Sequence, residues 1–373
     1  MRGRSGRRHG RRGGPGPSRA ERTARLPYPD GWFGLGTSAE VRRGAVVTRR
    51  LMDDDVVLYR TRSGRLRAVR PFCPHLGAHL GYGGSVRGER LVCPFHHFEF
   101  APDGACVATG YGSAPPPKAR LGTLPVREVD GMVYVWRHAR GEPPSWEVTP
   151  WPADAAFPVP YGRRHLLRDH PQDVVENIVD FGHLTPVHGT VGDVLSEPRF
   201  DGVTLETRFR ILPAGGDGAA WISAVAPELS VRVQGLGVVY TSVEVPRIGC
   251  HLRTVLTATP VSPTHVEVYV SGTMRLDRFG DSRAALALAG ALSRPLAWVG
   301  SFDFGKDFPI WAHKTYLERP RLAGGDGPIM NYRRWARQFY SDPPAGAGTA
   351  GAASATAPDA PAPPASPAPE DAG

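Results

Sequence analysis

The sequence predicts an α+β chain with an N-terminal all-β part and a C-terminal part in which helix packs on antiparallel sheet. Three observations lead there. Short β-branched and aromatic runs separated by Gly, Asp and Pro turns fill the first part. Longer strand-like runs then precede a helical stretch, and strands and helices in blocks indicate α+β rather than alternating α/β. Each part also carries its own set of metal-ligating side chains, Cys73-Pro74-His75 with Cys93-Pro94-Phe95-His96 in the first and a run from Asn177 to His188 in the second.

Residues 1–27 read as a disordered basic leader. Nine arginines (Arg2, Arg4, Arg7, Arg8, Arg11, Arg12, Arg19, Arg22, Arg25) against Glu21 give it +8 of the net charge of +9. The remainder of the chain is therefore nearly neutral, which weakens a nucleic-acid reading. No apolar stretch follows Arg11-Arg12, so an export signal is not supported. From 28 to 150, strands are expected at Val46-Val47, Val56–Tyr59, Arg65–Val69 and Met132–Trp136. From 151 to 341, they are expected around Thr204–Leu212, Trp221–Val225, Val231–Val245, His251–Pro260 and His265–Met274, before a helix over about Asp281–Val299. Residues 342–373, rich in Ala and Pro, read as a disordered tail, and the G-x-G-x-x-G at Gly346, Gly348 and Gly351 is not flanked by strand and helix. No run reaches the roughly 18–20 apolar residues of a membrane span. Four cysteines make no disulfide framework and point to a reducing cytoplasm.

Cys73, His75, Cys93 and His96 alternate thiol and imidazole at C-x-H-x17-C-x2-H spacing. Two thiolates on one iron and two imidazoles on the other make a Rieske [2Fe–2S] centre, an electron carrier. Structural zinc is the alternative, but zinc fingers pair C-x2-4-C with H-x3-5-H. His79 and His97 are nearby histidines not assigned as ligands. His79 reads as a loop residue shielding the cluster or facing a partner, and His97-Phe98 departs from the Gly-Trp usual in the Rieske pattern that these four residues resemble. Cys106 and Cys250 read as bystanders.

The second run, Asn177 to His188, is N-x2-D-x2-H-x4-H. On a helix Asn177, Asp180 and His183 would share a face, and Pro186 would end that helix near Leu184 or Thr185 and bring His188 back. Two histidines plus a carboxylate hold non-haem Fe(II) with positions open for dioxygen.

Both motifs, in this order, resemble the Rieske non-haem iron oxygenases over about Pro29–Tyr340. The run Asp307–Tyr316 with Gly327-Pro328-Ile329, Arg333-Arg334-Trp335 and Gln338-Phe339-Tyr340 resembles the group of cholesterol 7-desaturases and the oxygenase component of 3-ketosteroid 9α-hydroxylase. The resemblance implies a helix-grip catalytic domain and Asp307 as third iron ligand, with Asp303 its competitor. It implies that Asp180 bridges a cluster histidine (His96 or His75) of a neighbouring subunit to His183, and Asn177 is grouped with it as a catalytic candidate. Further implications are dioxygen as co-substrate, NAD(P)H electrons through a separate reductase or ferredoxin, a sterol or steroid substrate to be desaturated or hydroxylated, and a homotrimer. A secondary-metabolite tailoring oxygenase and a non-catalytic Rieske electron-transfer protein are the other readings.

Overall fold

The computed structural model describes residues 26–151, 157–158, 160–215, 227–280 and 282–341, the side chains of 294–303 excepted. The basic leader to Arg25, the tail from Asp342 and the strand expected at Trp221–Val225 lie outside the described residues. Leu26 and Pro27, expected in the leader, are described with the folded part, where the Pro27 carbonyl accepts a hydrogen bond from Nε2 of buried His170 at 3.1 Å.

The N-terminal part comprises β1 (Gly31–Thr37), β2 (Val46–Leu51), β3 (Asp54–Arg60), β4 (Leu66–Val69), β5 (Ser85–Arg87), β6 (Arg90–Val92), β7 (Glu99–Phe100), β8 (Cys106–Ala108), β9 (Thr123–Leu124), β10 (Val126–Val129) and β11 (Met132–Arg137). They form three antiparallel sheets in the orders β1-β11-β10, β2-β3-β4-β9 and β5-β6-β7-β8. The β-branched and aromatic run Val56–Tyr59 is buried throughout, as befits a strand covered on both faces. Met52 and Asp53, with φ of 52° and 63°, make the two-residue β2–β3 turn, whose backbone twist matches that of the strands it joins. The cluster-ligand pairs lie on the loops before β5 and between β6 and β7.

The second part is a seven-stranded antiparallel sheet in the order β12-β18-β17-β16-β15-β14-β13. Its strands are β12 (Tyr161–Leu167), β13 (Thr190–Asp201), β14 (Thr204–Pro213), β15 (Glu228–Gln234), β16 (Val238–Val245), β17 (Cys250–Ser262) and β18 (His265–Leu276). The stretch expected as one run, Val231–Val245, is a hairpin, because Gly235 adopts φ +60° and turns the chain between β15 and β16. Helices are α1 (Pro171–Glu176), α2 (Arg283–Gly305), α3 (Phe308–Trp311) and α4 (Ile329–Ala336). The helix expected over Asp281–Val299 corresponds to α2, which runs on to Gly305. It packs on β18 and β12.

Alternation along the strands divides the sheet into two faces. Val233, Val239, Leu256, Ala258, Val266 and Val268 join a core with Val174, Val179, Trp311 and Tyr332. Between them in sequence, Val238, Tyr240, Val255 and Tyr269 face the other way and pack on Trp32, Met132, Tyr134 and Trp136 of the N-terminal part. The two parts are thus joined through a shared apolar layer.

Glycines let the backbones meet in that layer. The carbonyl of Gly34 on β1 accepts a 2.6 Å hydrogen bond from buried Thr259. A Cβ at Gly34 would lie 2.4 Å from Cγ2 of Thr257, and one at Gly237 2.4 Å from the Trp32 carbonyl oxygen. Gly34→Ala therefore forces β1 off the sheet and should cost about 1–3 kcal/mol. A thermal midpoint unchanged from wild type would contradict the close packing.

Candidate metal centres

The two cluster loops are built alike. Cys73 N–H donates to the Ala78 carbonyl at 2.9 Å and Cys93 N–H to that of Phe98 at 2.9 Å; Gly77 and His97 N–H donate back to the carbonyls of Cys73 and Cys93 at 3.0 and 3.1 Å. Gly77 has φ +76° and His97, in the matching place, φ +51°. This explains the departure noted in the sequence: position 97 demands a left-handed backbone, which suits glycine and which His97 adopts at a cost of about 1–2 kcal/mol. His97 is exposed.

Cys73 and Cys93 are buried, and the rings of His75 and His96 lie 4.7 Å apart. Phe98, where tryptophan is common, stacks on His75 at 4.4 Å and fixes its orientation. Nδ1 of His75 is buried without a hydrogen-bond partner, the state of a ligand atom reserved for a metal. Burial pushes the Cys73 thiol up to about 11, so a bound cation is needed to hold it as thiolate. Among the described residues the four do not converge on one point as the ligands of a single zinc would. They fit a two-iron cluster. His79 is occupied elsewhere, with Nε2 3.1 Å from Asp55 Oδ2 and Nδ1 accepting from Gly81 N–H.

The second set forms differently from the expected helix. Helix α1 stops at Glu176, Asn177 caps it, and two tight turns follow. Close packing of Gly327 on the Val179 carbonyl, where a Cβ would sit 2.1 Å away, accompanies this break and overrides the helical pattern. Leu184–His188 is then a single π turn, with His183 at its start and His188 at its end, closed by Gly189 at φ +70°. On an α-helix a five-residue step turns about 140° away; the wider π turn brings i and i+5 to one side. Pro186 sits inside this turn rather than terminating a helix.

His183, His188 and Asp307 offer ligand atoms all within 4.8 Å of one another. Asp307, buried at the N-terminus of α3, has Oδ2 3.3 Å from His188 Nε2. Asn177 lies among them, its amide donating to His183 Nε2 at 3.0 Å and to Asp307 Oδ2 at 3.3 Å. Amide hydrogens thus stand where a cation would be drawn, and two imidazoles with one carboxylate are the donor set of a non-haem iron. Nδ1 of His183 donates to the backbone carbonyl of Asp180, fixing the tautomer that leaves Nε2 for a metal. The Asp180 carboxylate is 3.9 Å from that nitrogen and 39% exposed, so the main chain makes this contact and the side chain faces outward. Asp303, the competing ligand, has a side chain outside the described residues.

Behind α1 lies a buried ionic layer that motif reading passed over. Arg333 pairs bidentately with Glu176 at 2.6 and 2.8 Å, and Lys314 reaches Asp173 at 3.3 Å. Burial, then the Asp173 charge, raises the Asp169 carboxyl well above its usual range, which limits the charge held there. The pairs tie α1, next to Asn177, to the segments after α3 and within α4. The 169, 173, 176 spacing of carboxylates was the visible signal.

Residues 31–121 match the Rieske [2Fe-2S] domain family and residues 135–340 the 3-ketosteroid 9alpha-hydroxylase C-terminal domain family. A cholesterol 7-desaturase of Ciona intestinalis is 30% identical over 347 residues, 84% of this chain and 69% of that protein. The 3-ketosteroid-9-alpha-monooxygenase oxygenase component of Rhodococcus rhodochrous is 26% identical over 342 residues, 84% of each. Two solved structures share the fold: apo dicamba monooxygenase, with TM-score 0.62, 19% identity and coverage of 83% of this chain and 96% of that one, and Pseudomonas putida CBB5 NdmA with caffeine, with TM-score 0.62, 18% identity and coverage of 82% and 89%. No described helix is long and apolar enough to cross a membrane.

His183→Ala should remove one iron per chain while leaving acid-labile sulfide and the visible absorption of the cluster intact. Unchanged iron content would refute this ligand set.

Proposed function

The chain belongs to the Rieske non-haem iron oxygenases, in the group with a 3-ketosteroid 9α-hydroxylase C-terminal domain, and we propose that it oxidises a sterol or steroid at an iron held by His183, His188 and Asp307. The observation carrying this reading is the approach of those three side chains to within 4.8 Å. Cys73, His75, Cys93 and His96 would hold the cluster, and a separate reductase or ferredoxin supplies its electrons. Once bound, the metal groups supply single-electron transfer and dioxygen activation, chemistry that no side chain provides.

The protein's contribution is orientation and exclusion. His183 is aimed by the Asp180 carbonyl, Asp307 is held at the start of α3, and Asn177 hydrogen-bonds the Asp307 carboxylate. Val179, Phe209 and Trp311, all buried, keep water from this side of the sheet. We favour desaturation of the kind named for the Ciona relative, with 9α-hydroxylation the second reading, supported by the C-terminal family match. Alignment of a second C–H bond of the substrate decides between them. We further read 28–150 as the cluster domain, 151–341 as the catalytic domain, and the protein as cytoplasmic.

Electron transfer between subunits completes the proposal. The cluster domain packs on one face of the large sheet and the triad lies toward the other. Around His75 and His96, Phe72, Leu76, Tyr82 and Phe95 are 60–72% exposed, an apolar tip suited to a neighbouring copy. Asp180, facing outward, would receive a cluster histidine of that copy, and a ring of three closes such a head-to-tail contact.

Incubation with a surrogate reductase, dioxygen, cholesterol and 4-androstene-3,17-dione should yield a cholesterol product lighter by two hydrogens. A ketosteroid heavier by one oxygen would move the chain to the hydroxylase reading, and no product from either would refute a steroid substrate. Cys73→Ser and His183→Ala chains, each inactive alone, should regain part of the activity when co-expressed. Failure of co-assembled chains to do so would refute transfer between subunits.

A further inference from the structure

The metal-facing side of the sheet continues past its buried core as two rows of half-buried side chains. Phe209 of β14, whose ring lies 6.4 Å from that of Phe181 beside the metal loop, pairs with Leu229 of β15. Leu229 pairs with Val243 of β16, and Val243 with Leu252 of β17, making an aliphatic row. In the adjacent row Thr241 of β16 pairs directly with Thr254 of β17. Both threonines are two residues from core members of the same face, Val239 and Leu256, so their side chains point to the metal side.

Three other threonine hydroxyls of the sheet are taken up by the main chain: Thr207 Oγ1 donates to the Ser196 carbonyl at 3.0 Å, Thr259 Oγ1 to Gly34 at 2.6 Å and Thr273 Oγ1 to Pro158 at 2.9 Å, while that of Thr257, on the opposite face against Gly34, is buried without a partner. Thr241 and Thr254 are only partly buried, and neither hydroxyl has a hydrogen-bond partner among the described residues. Two adjacent hydroxyls in an aliphatic wall can donate to or accept from one oxygen atom. With strands about 4.8 Å apart, they sit two and three strands from Phe209, roughly 10–14 Å along the sheet. That is the scale of a rigid polycyclic molecule.

We propose that Thr241 and Thr254 form the polar anchor of the substrate site, binding the hydroxyl or keto oxygen of a polycyclic substrate while Leu229, Val243 and Leu252 cover its hydrocarbon face. This inference rests on the steroid reading and assigns that substrate's orientation. Valine keeps the shape of threonine and suits a strand, so removal of the hydroxyls leaves the sheet intact.

The test compares cholesterol with 5-cholestene, which lacks the oxygen, by the change each causes in the electron paramagnetic resonance signal of the nitric oxide-treated ferrous holoenzyme. Wild type should bind cholesterol about tenfold more tightly, as expected of hydrogen bonds in a partly wet site. Thr241→Val/Thr254→Val should lose that preference with 5-cholestene affinity unchanged, and Thr241→Ser/Thr254→Ser should retain it. Equal weakening for both ligands, or no change, overturns the anchor while the steroid reading stands. A wild type that binds neither overturns both.

Discussion

The close seating of β1 on the back of the seven-stranded sheet is the constraint on which the rest depends. Gly34 and Gly237 let backbone approach side chain and backbone there, and Tyr134 and Tyr240 meet across the seam with their hydroxyls 3.4 Å apart. Once one face of the sheet is covered by the cluster domain, only the other can receive α1, α3 and the metal loops. The intervening sheet keeps the two ligand sets of one chain on separate sides of a packed layer. The proposed electron path between subunits would bypass that layer and would give the exposed apolar tip around His75 and His96 a partner.

Within this frame, regular structure supplies rigidity and irregular structure supplies the ligands. None of the four proposed cluster ligands lies in a strand; of the proposed iron ligands, His183 precedes a π turn, His188 ends it, and Asp307 precedes a one-turn helix. Such segments leave backbone groups for other uses, as the Asp180 carbonyl shows by receiving the His183 ring. They also carry strain, evident at His97, and must be held from outside. The bidentate Arg333–Glu176 pair and the Lys314–Asp173 contact do this for the segments that bear Asn177 and Asp307. Buried ion pairs contribute little net stability, but they are demanding in geometry, which is the property a metal site needs.

Much of this was legible in the sequence because metal chemistry constrains spacing directly. The alternation of Cys and His, and the second run of Asn, Asp and two His, are set by ligand type and loop size and survive ignorance of tertiary contacts. The helix that the spacing predicts through Asp180 and His183 does not form for the opposite reason: its periodicity is real, but Gly327 against Val179 and the π turn at Leu184–His188 are long-range and irregular features. The Val231–Val245 hairpin was hidden because its turn, Gly235-Leu236-Gly237, keeps an apolar residue at its centre. Leu236 is buried in the core, so composition there mimics a strand.

The threonine pair was illegible for a deeper reason. Thr241 and Thr254 are ordinary strand residues thirteen positions apart, and only the β16–β17 register places them side by side. What distinguishes them is where they stand: buried Thr207 and Thr259 satisfy the backbone of their own fold and Thr257 is sealed on the opposite face, whereas these two hydroxyls stand half-exposed in an aliphatic wall on the metal-facing side. A purely apolar wall would accept a polycyclic hydrocarbon in many orientations, and the metal site needs one C–H bond presented repeatedly. A single polar contact at a fixed distance along the sheet is enough to break that degeneracy, because a rigid molecule held at one end has few ways to present the other.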